Sequence, residues 1–243
     1  MGIVVLKLGG SVLVDVDSYR ACARFVRDRL LQDPATRVVL VVSARFGETD
    51  DLWSFANSLS APPDGRTLDL LWSTGELRSA ATLALCLQAL GVRAQALDVH
   101  ETGIRCTGRL EVDPVPLRKA LAEHEVVVVP GFLAVGAARQ VVTLGRGGSD
   151  LSAVAVAAAL RADRCELVKD VPGYFAADPK RNATAEHLPV IDYERALRMA
   201  DGGCDLVQRA ALEAARRAGL TLVIRAADDA RTTVVSEPEC VRG

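Results

Sequence analysis

The sequence predicts an α/β protein built on a mostly parallel sheet with helices on both faces. Three observations carry this expectation. Strand-like and helix-like segments alternate from end to end. The strand-like runs, such as Val38 to Val42 and Val126 to Val129, are apolar throughout, as in strands buried on both sides. Polar, glycine-rich stretches follow those runs directly, where open α/β sheets bind ligands.

Taken in order, Ile3 to Lys7 is rich in β-branched residues and leads into Gly9-Gly10, which predicts the first strand. Asp17 to Leu31 has helical spacing, with Ala21, Phe25, Val26 and Leu30 on one face, Asp17 or Ser18 placed to cap its start and Pro34 beyond its end. Val38 to Val42 is the second strand. Thr67 to Leu90 reads as one or two helices closed by Gly91, with Ser73 or Thr74 placed to cap a second one. Ala94 to Val99 is a strand and Pro114 to His124 a short helix. Val126 to Val129 and Gln140 to Leu144 are strands around a loop holding Gly131-Phe132. Ser149 to Leu160 is an Ala-rich helix and Cys165 to Val168 a strand. Tyr193 to Met199 and Leu206 to Ala218 are helices, and Leu220 to Ile224 and Thr232 to Val235 are late strands. Ser58 to Arg66, with Pro62-Pro63-Asp64-Gly65, is too short for a domain linker. A single domain over residues 1–243 is therefore expected.

Composition narrows the function classes. The 243 residues are 50% hydrophobic and 25% charged, enough apolar content for a sizeable core and too much for disorder. A net charge of -2 argues against a nucleic-acid partner. No apolar run reaches the roughly 18 residues of a membrane-spanning helix, and the N-terminus reads as a strand rather than a signal peptide or myristoylation site. The six cysteines (Cys22, Cys86, Cys106, Cys165, Cys204 and Cys240) form no C-x-x-C pair and read as free thiols in a reducing cytoplasm. The three scattered histidines offer no zinc site, and no metal ligands are assigned. Only four lysines occur (Lys7, Lys119, Lys169 and Lys180), so each is a better functional candidate than usual.

Chemistry-bearing residues cluster at the predicted strand ends. Lys7 closes the first strand beside Gly9, Gly10 and Ser11. Glycines let a backbone approach phosphate closely, and a lysine supplies a point charge. A tight turn with a snorkelling lysine explains this pattern equally well, and neither a Walker A loop nor G-x-G-x-x-G is present. Gly145-Arg146-Gly147-Gly148-Ser149-Asp150 brackets an arginine with glycines at a helix start, a pattern suited to gripping an anion. Ser73-Thr74-Gly75-Glu76 is readable as a helix cap or as a substrate-binding segment. The turn-rich stretch from Asp170 through Tyr174 and Phe175 to Asp178-Pro179-Lys180 is readable as a nucleotide clasp or a surface loop.

Together these segments resemble the amino-acid kinase superfamily and, within it, the aspartate kinase catalytic domain. The resemblance rests on Lys7-Leu8-Gly9-Gly10-Ser11, Val42-Ser43-Ala44 with Thr49-Asp50, Ser73-Thr74-Gly75-Glu76, Pro130-Gly131-Phe132, Thr143 through Asp150, and Asp170-Val171-Pro172-Gly173 with Ala177-Asp178-Pro179. These cover residues 3 to about 235. The resemblance implies a three-layer αβα sandwich of the amino-acid kinase fold. It implies transfer of the γ-phosphoryl group of ATP, with Mg²⁺, to the side-chain carboxylate of aspartate or a close analogue. Lys7 and Asp150 are the implied catalytic pair, Asp150 orienting Lys7. Ser43, Ala44, Thr49, Phe132 and Ser149 are expected to line the acceptor, with Glu76 on its ammonium and Arg146 on its α-carboxylate. Gly9, Gly10, Ser11, Lys169, Asp170, Tyr174, Phe175, Lys180 and Arg209 are expected on the nucleotide. A cytoplasmic homodimer is the implied assembly.

Four departures from the family pattern are visible. No ACT regulatory domain follows in the sequence, which implies loss of the usual allosteric control. The stretch from Thr49 to Ser73 is shorter than the family's helical insert. Asp205, in Gly203-Cys204-Asp205-Leu206, stands where the family places a phosphate-binding lysine. Arg209, one turn along a helix expected from Leu206, or Lys180 is the expected substitute, with Asp205 otherwise capping that helix. Phe175 aligns with the family's tyrosine. Two alternatives stay open: a kinase for another small acid, and a non-catalytic ligand-binding or partner subunit of the same fold.

Overall fold

The computed structural model describes residues 2–145, 147–179, 181–182 and 184–237. Arg146, Lys180 and Cys240 lie outside the described residues. The chain begins with β1 (Ile3–Leu8), a short 3₁₀ turn over Gly10–Val12, α1 (Val16–Gln32) and β2 (Arg37–Val42). Next come α2 (Glu48–Leu59), α3 (Gly65–Ala89), β3 (Ala94–Ala96), β4 (Ile104–Cys106), β5 (Leu110–Val112) and α4 (Pro114–Glu123). They are followed by β6 (Val126–Pro130), β7 (Leu133–Val135), β8 (Val141–Thr143), α5 (Gly148–Leu160) and β9 (Arg164–Val168). The described chain closes with β10 (Val190–Asp192), α6 (Tyr193–Asp201), α7 (Arg209–Arg217), β11 (Leu222–Arg225) and β12 (Thr232–Ser236).

An eight-stranded sheet in the order β10-β12-β11-β9-β1-β2-β6-β3 forms the middle layer, and only the β11–β12 pair is antiparallel. Parallel strands need crossovers, and the helices that make them cover the sheet. The resulting α/β architecture is the expected one, with a mostly parallel central sheet. Side-chain alternation along β1 divides the core. Ile3 and Val5 face the layer of α4, α5, α6 and α7, whereas Val4, Leu6 and Leu8 face α1 and α3. Lys7 follows Ile3 and Val5 in this alternation, so its side chain leaves the sheet toward α5.

The structure corrects several expected boundaries. Asp15, not Asp17 or Ser18, caps α1, and Ser18 completes the capping box. Residues 65–89 form one helix: the Ser73 and Thr74 hydroxyls donate back to Leu70 O and Leu71 O at 2.7 Å each and cap nothing. The third strand stops at Ala96. The helix expected from Leu206 begins at Arg209 with Gln208 as its N-cap. Asp205 therefore neither caps that helix nor shares a face with Arg209. The strand expected over Gln140 to Leu144 is β8, but the sequence reading missed α2, β10 and the strands β4, β5 and β7 that join β8 in a small sheet of order β5-β4-β7-β8, because three-residue strands are too short to show a period.

One buried carboxylate joins α1 to the sheet. Glu166 on β9 is 1% exposed and pairs with Arg29 at 2.5 Å, Arg164 at 2.6 Å and Arg225 at 3.5 Å. Arg29 and Arg225 also pack over the Phe25 ring. Glu166→Gln would leave three guanidinium groups without their shared counter-charge. A loss of about 3 kcal/mol in urea unfolding is expected, and an unchanged midpoint would contradict this role.

Candidate active site

Four parallel strands end side by side: β1 at Leu8, β2 at Val42, β6 at Pro130 and β9 at Val168. The residues just beyond them, Ser43 and Ala44, Phe132, and Lys169, line one cavity of about 430 Å³. Lys7, Gly10, Arg45, Thr49, Glu76, Ser149 and Asp150 complete much of its wall. This is the carboxyl edge of the sheet, where open α/β sheets place their ligands.

The wall holds a buried charge cluster. Asp150, in the first turn of α5, lies 2.9 Å from Lys7 Nζ through Oδ1 and 2.7 Å from Lys169 Nζ through Oδ2. Burial pushes the Asp150 carboxyl up, but the two ammonium groups outweigh it and hold it below the usual carboxylate range. Burial and the neighbouring Lys7 charge lower the Lys169 pKa. Two cations on one carboxylate leave a net positive charge facing the cavity.

Two helix starts converge there. α2 follows Gly47 (φ +79°) and α5 follows Gly147 (φ +75°), and neither start has a side-chain cap. The uncapped amide ends carry partial positive charge. Gly147 also lies so close to Gln208 that a Cβ would sit 2.0 Å from its Cγ, so only glycine fits.

Glu76 reaches the cavity from the opposite layer. The first half of α3 overhangs the sheet edge, tied to β8 by Thr143 Oγ1 donating to Asp69 Oδ1 at 2.8 Å. Trp72 stacks on Trp53, meets Phe132 edge-on and donates from Nε1 to Thr49 O at 3.1 Å, joining α3 to two cavity walls. At Gly75 a Cβ would meet Ala44 Cβ at 3.1 Å and Glu48 Cδ at 3.2 Å, so the missing side chain permits the close approach. Glu76 is 3% exposed, and its Oε2 has no partner among the described residues. Burial raises its pKa to about 8, against the pull of the Ala44 amide and Lys7, with Glu48 adding to the rise. A buried, half-satisfied carboxyl facing a cavity suits a cationic group of a ligand.

A second cavity, of about 720 Å³, adjoins the first. Asp170, Tyr174, Phe175 and Asp178 line it, and Asp205 lines both cavities. Tyr174 is 1% exposed and forms floor rather than rim. The Phe175 ring meets His187 edge-on, with Arg231 over it.

The structure thus gathers most of the expected residues. Lys7, Gly10, Ser43, Ala44, Thr49, Glu76, Phe132, Ser149, Asp150 and Lys169 share the first cavity, and Asp170, Tyr174 and Phe175 share the second. Gly9 and Ser11 flank Gly10 without lining either one, Gly9 donating to Val168 O at 3.3 Å. Arg209 corrects the expectation for a phosphate-binding cation: it lines neither cavity and is held on the exterior by Asp201 and Glu213. Sequence reasoning missed Arg45, Phe46, Gln208 and Asp50 as wall residues. Asp50 stood beside Thr49 in a quoted motif, Arg45 and Phe46 follow Ser43-Ala44 at the end of the second strand, and Gln208 lies three residues past Asp205, but no motif singled out any of these three.

A model of the amino acid kinase family matches residues 2–226. The chain belongs to the amino acid kinase family. Within it, aspartokinase of Mycolicibacterium smegmatis is 39% identical over 232 residues, covering 93% of this chain and 55% of that protein. The crystal structure of aspartate kinase from Synechocystis superposes with a TM-score of 0.88 at 37% identity, covering 100% of this chain and 41% of that one. That of E. coli aspartokinase III in complex with aspartate and ADP gives 0.82 at 25% identity, covering 98% and 65%. The chain spans about half the length of the curated relatives it matches. No helix among the described residues is long and apolar enough to cross a membrane.

Glu76 makes stability depend on pH in a definite direction. Its folded pKa of about 8 lies above the ordinary 4.5, so the folded state holds the proton longer than the unfolded chain. Stability should fall as pH rises from about 4.5 to 8, by up to roughly 1.4 kcal/mol per pH unit. Glu76→Gln should flatten that slope in urea titrations at pH 5, 6, 7 and 8. An equal slope in the variant would place the titration elsewhere.

Proposed function

We propose that this chain transfers the γ-phosphoryl group of ATP to the side-chain carboxylate of aspartate or a close analogue, making an acyl phosphate. The observation that carries this reading is the Lys7–Asp150–Lys169 cluster facing buried Glu76 across one cavity, with a second cavity adjoining it. The similarity to aspartokinases, one of them in complex with aspartate and ADP, supports the same choice.

In this reading the acceptor occupies the first cavity and the nucleotide the second, with its phosphates pointing into the first. The acceptor carboxylate is already ionised at neutral pH, so the step needs no general base. A carboxylate oxygen forms the new bond to Pγ while the bond from Pγ to the bridging β-γ oxygen breaks, and ADP leaves with that electron pair. Lys7 and Lys169 stabilise the phosphoryl group in flight, and Asp150 fixes both ammonium groups in place. Glu76 holds the acceptor ammonium and Arg146 its α-carboxylate, while Ser43, Ala44, Thr49, Phe132 and Ser149 shape that half. Gly9, Gly10 and Ser11 cradle phosphate, Asp170, Tyr174 and Phe175 flank the nucleotide, and Lys180 is the candidate to replace the family lysine.

Mg²⁺ fits this donor set only as a companion of the nucleotide. Among the described residues no group of three His, Cys, Asp or Glu side chains gathers to hold a metal. Magnesium is commonly held by one or two carboxylates plus substrate phosphates. Asp205, at the junction of the cavities, is the carboxylate that would complete its shell. Bound there, the ion would neutralise phosphate charge. Residues 1–243 act in this proposal as one catalytic unit, in a cytoplasmic homodimer.

ATP consumption with a panel of small acids, aspartate first, tests the function. Lys7→Ala should lower turnover by about a hundredfold or more while its circular dichroism stays that of the parent. Parent-like turnover in the folded variant would remove Lys7 from the chemistry.

A further inference from the structure

The cations of the first cavity are not equally committed. Lys7 and Lys169 both bind Asp150. Arg45 is the third described cation in that wall, and it makes no ion pair or side-chain hydrogen bond among the described residues. It is half-buried. A guanidinium held partly out of water without a counter-charge is a ready partner for a ligand anion.

Its backbone is firmly placed. Arg45 O accepts from Glu48 N at 3.0 Å, and the next residue, Phe46, donates from its amide to Leu13 O at 3.0 Å. The segment is thus pinned between the end of β2 and the start of α2. Arg45 shares the cavity wall with Ser43, Ala44, Thr49 and Glu76, so it brings positive charge to the cavity that Glu76 faces.

We infer that Arg45 is a specificity-determining residue of the acceptor half, gripping a carboxylate of a small dicarboxylic acid. The inference rests on the proposed function. In that reading Glu76 faces the acceptor ammonium and Arg146 its α-carboxylate, so the carboxylate left for Arg45, which follows Ser43 and Ala44 in the cavity wall, is the side-chain one. Arginine suits the task because its fork donates two parallel hydrogen bonds to one carboxylate. The nucleotide phosphates that reach the first cavity have Lys7 and Lys169 as their assigned cations, which leaves Arg45 for the acceptor.

The test combines two measurements on the wild type, R45A and R45K. The first is calorimetric titration with succinate in the absence of ATP. The second is the KM for aspartate and for ATP in the coupled ATP-consumption assay. R45A should weaken succinate binding and raise the aspartate KM by about ten- to a hundredfold, the range of a lost charge-assisted contact. Its KM for ATP and its thermal midpoint should not move. R45K should recover only part of the loss, because lysine keeps the charge and lacks the fork. If R45A matches an active wild type in both acid measurements, the inference is overturned and the proposed function stands. If the KM values for aspartate and ATP rise together, Arg45 acts on the site as a whole and the inference is likewise overturned. A folded wild type that neither binds succinate nor consumes ATP with any acid of the panel overturns both.

Discussion

Two ammonium groups share one buried carboxylate at the carboxyl edge of the sheet, and the rest of the site is arranged around that constraint. Lys7 lies on β1 and Lys169 just beyond the adjacent parallel strand β9, so without Asp150 their charges would repel across a poorly solvated gap. Asp150 can stand between them because α5 begins directly above β1. It can begin there because Gly147 adopts a positive φ against Gln208, where no other residue fits. Backbone geometry, helix placement and charge arrangement thus depend on one another.

The same edge is built from both helical layers. α5 contributes Asp150 and Ser149, while α3 crosses over the strand ends from the other side to deliver Glu76. The Trp72 contacts to Trp53, Phe132 and Thr49 fix that overhang. Phe132 itself holds φ +67°, an uncommon backbone for a side chain of its size. Such a conformation persists only where its surroundings enforce it. Here Phe132 N donates to Ser152 Oγ at 3.1 Å and Phe132 O accepts from Leu144 N at 2.8 Å, locking the residue between α5 and β8.

Electrostatically the cavity is divided. The α5 side gathers surplus positive charge and an uncapped helix start, an environment for phosphate. The α3 side holds Glu76, whose pKa burial raises to about 8, facing the same cavity as Arg45, which has no ion pair among the described residues. Asp205 sits at the junction with the second cavity. Under the proposed function a carboxylate there would tolerate polyphosphate only with a cation between them, which would tie nucleotide binding to metal in a way a lysine at the same position would not.

Much of this was legible in the chain itself. The all-apolar runs of β1, β2 and β6 declared a buried parallel sheet, because strands covered on both faces have no polar side to show. That sheet topology then directed attention to the residues after each strand, where Lys7, Ser43, Phe132, Asp150 and Lys169 do meet. The sequence also marked Glu76, although by motif rather than by any sign of its burial. Local pattern could not show which cations already have partners. Lys169 after a strand and Arg209 on an expected helix were both expected on the nucleotide, yet one is bound to Asp150 inside the cavity and the other to Asp201 and Glu213 outside it. Arg45 stands beside the marked residues Ser43 and Ala44, but nothing in the sequence shows that its guanidinium has no ion-pair partner among the described residues. Periodicity and composition report how a segment meets water, so they determined the layers and the sheet. Pairing among charges depends on distances between residues far apart in the chain, and only the tertiary structure decided those.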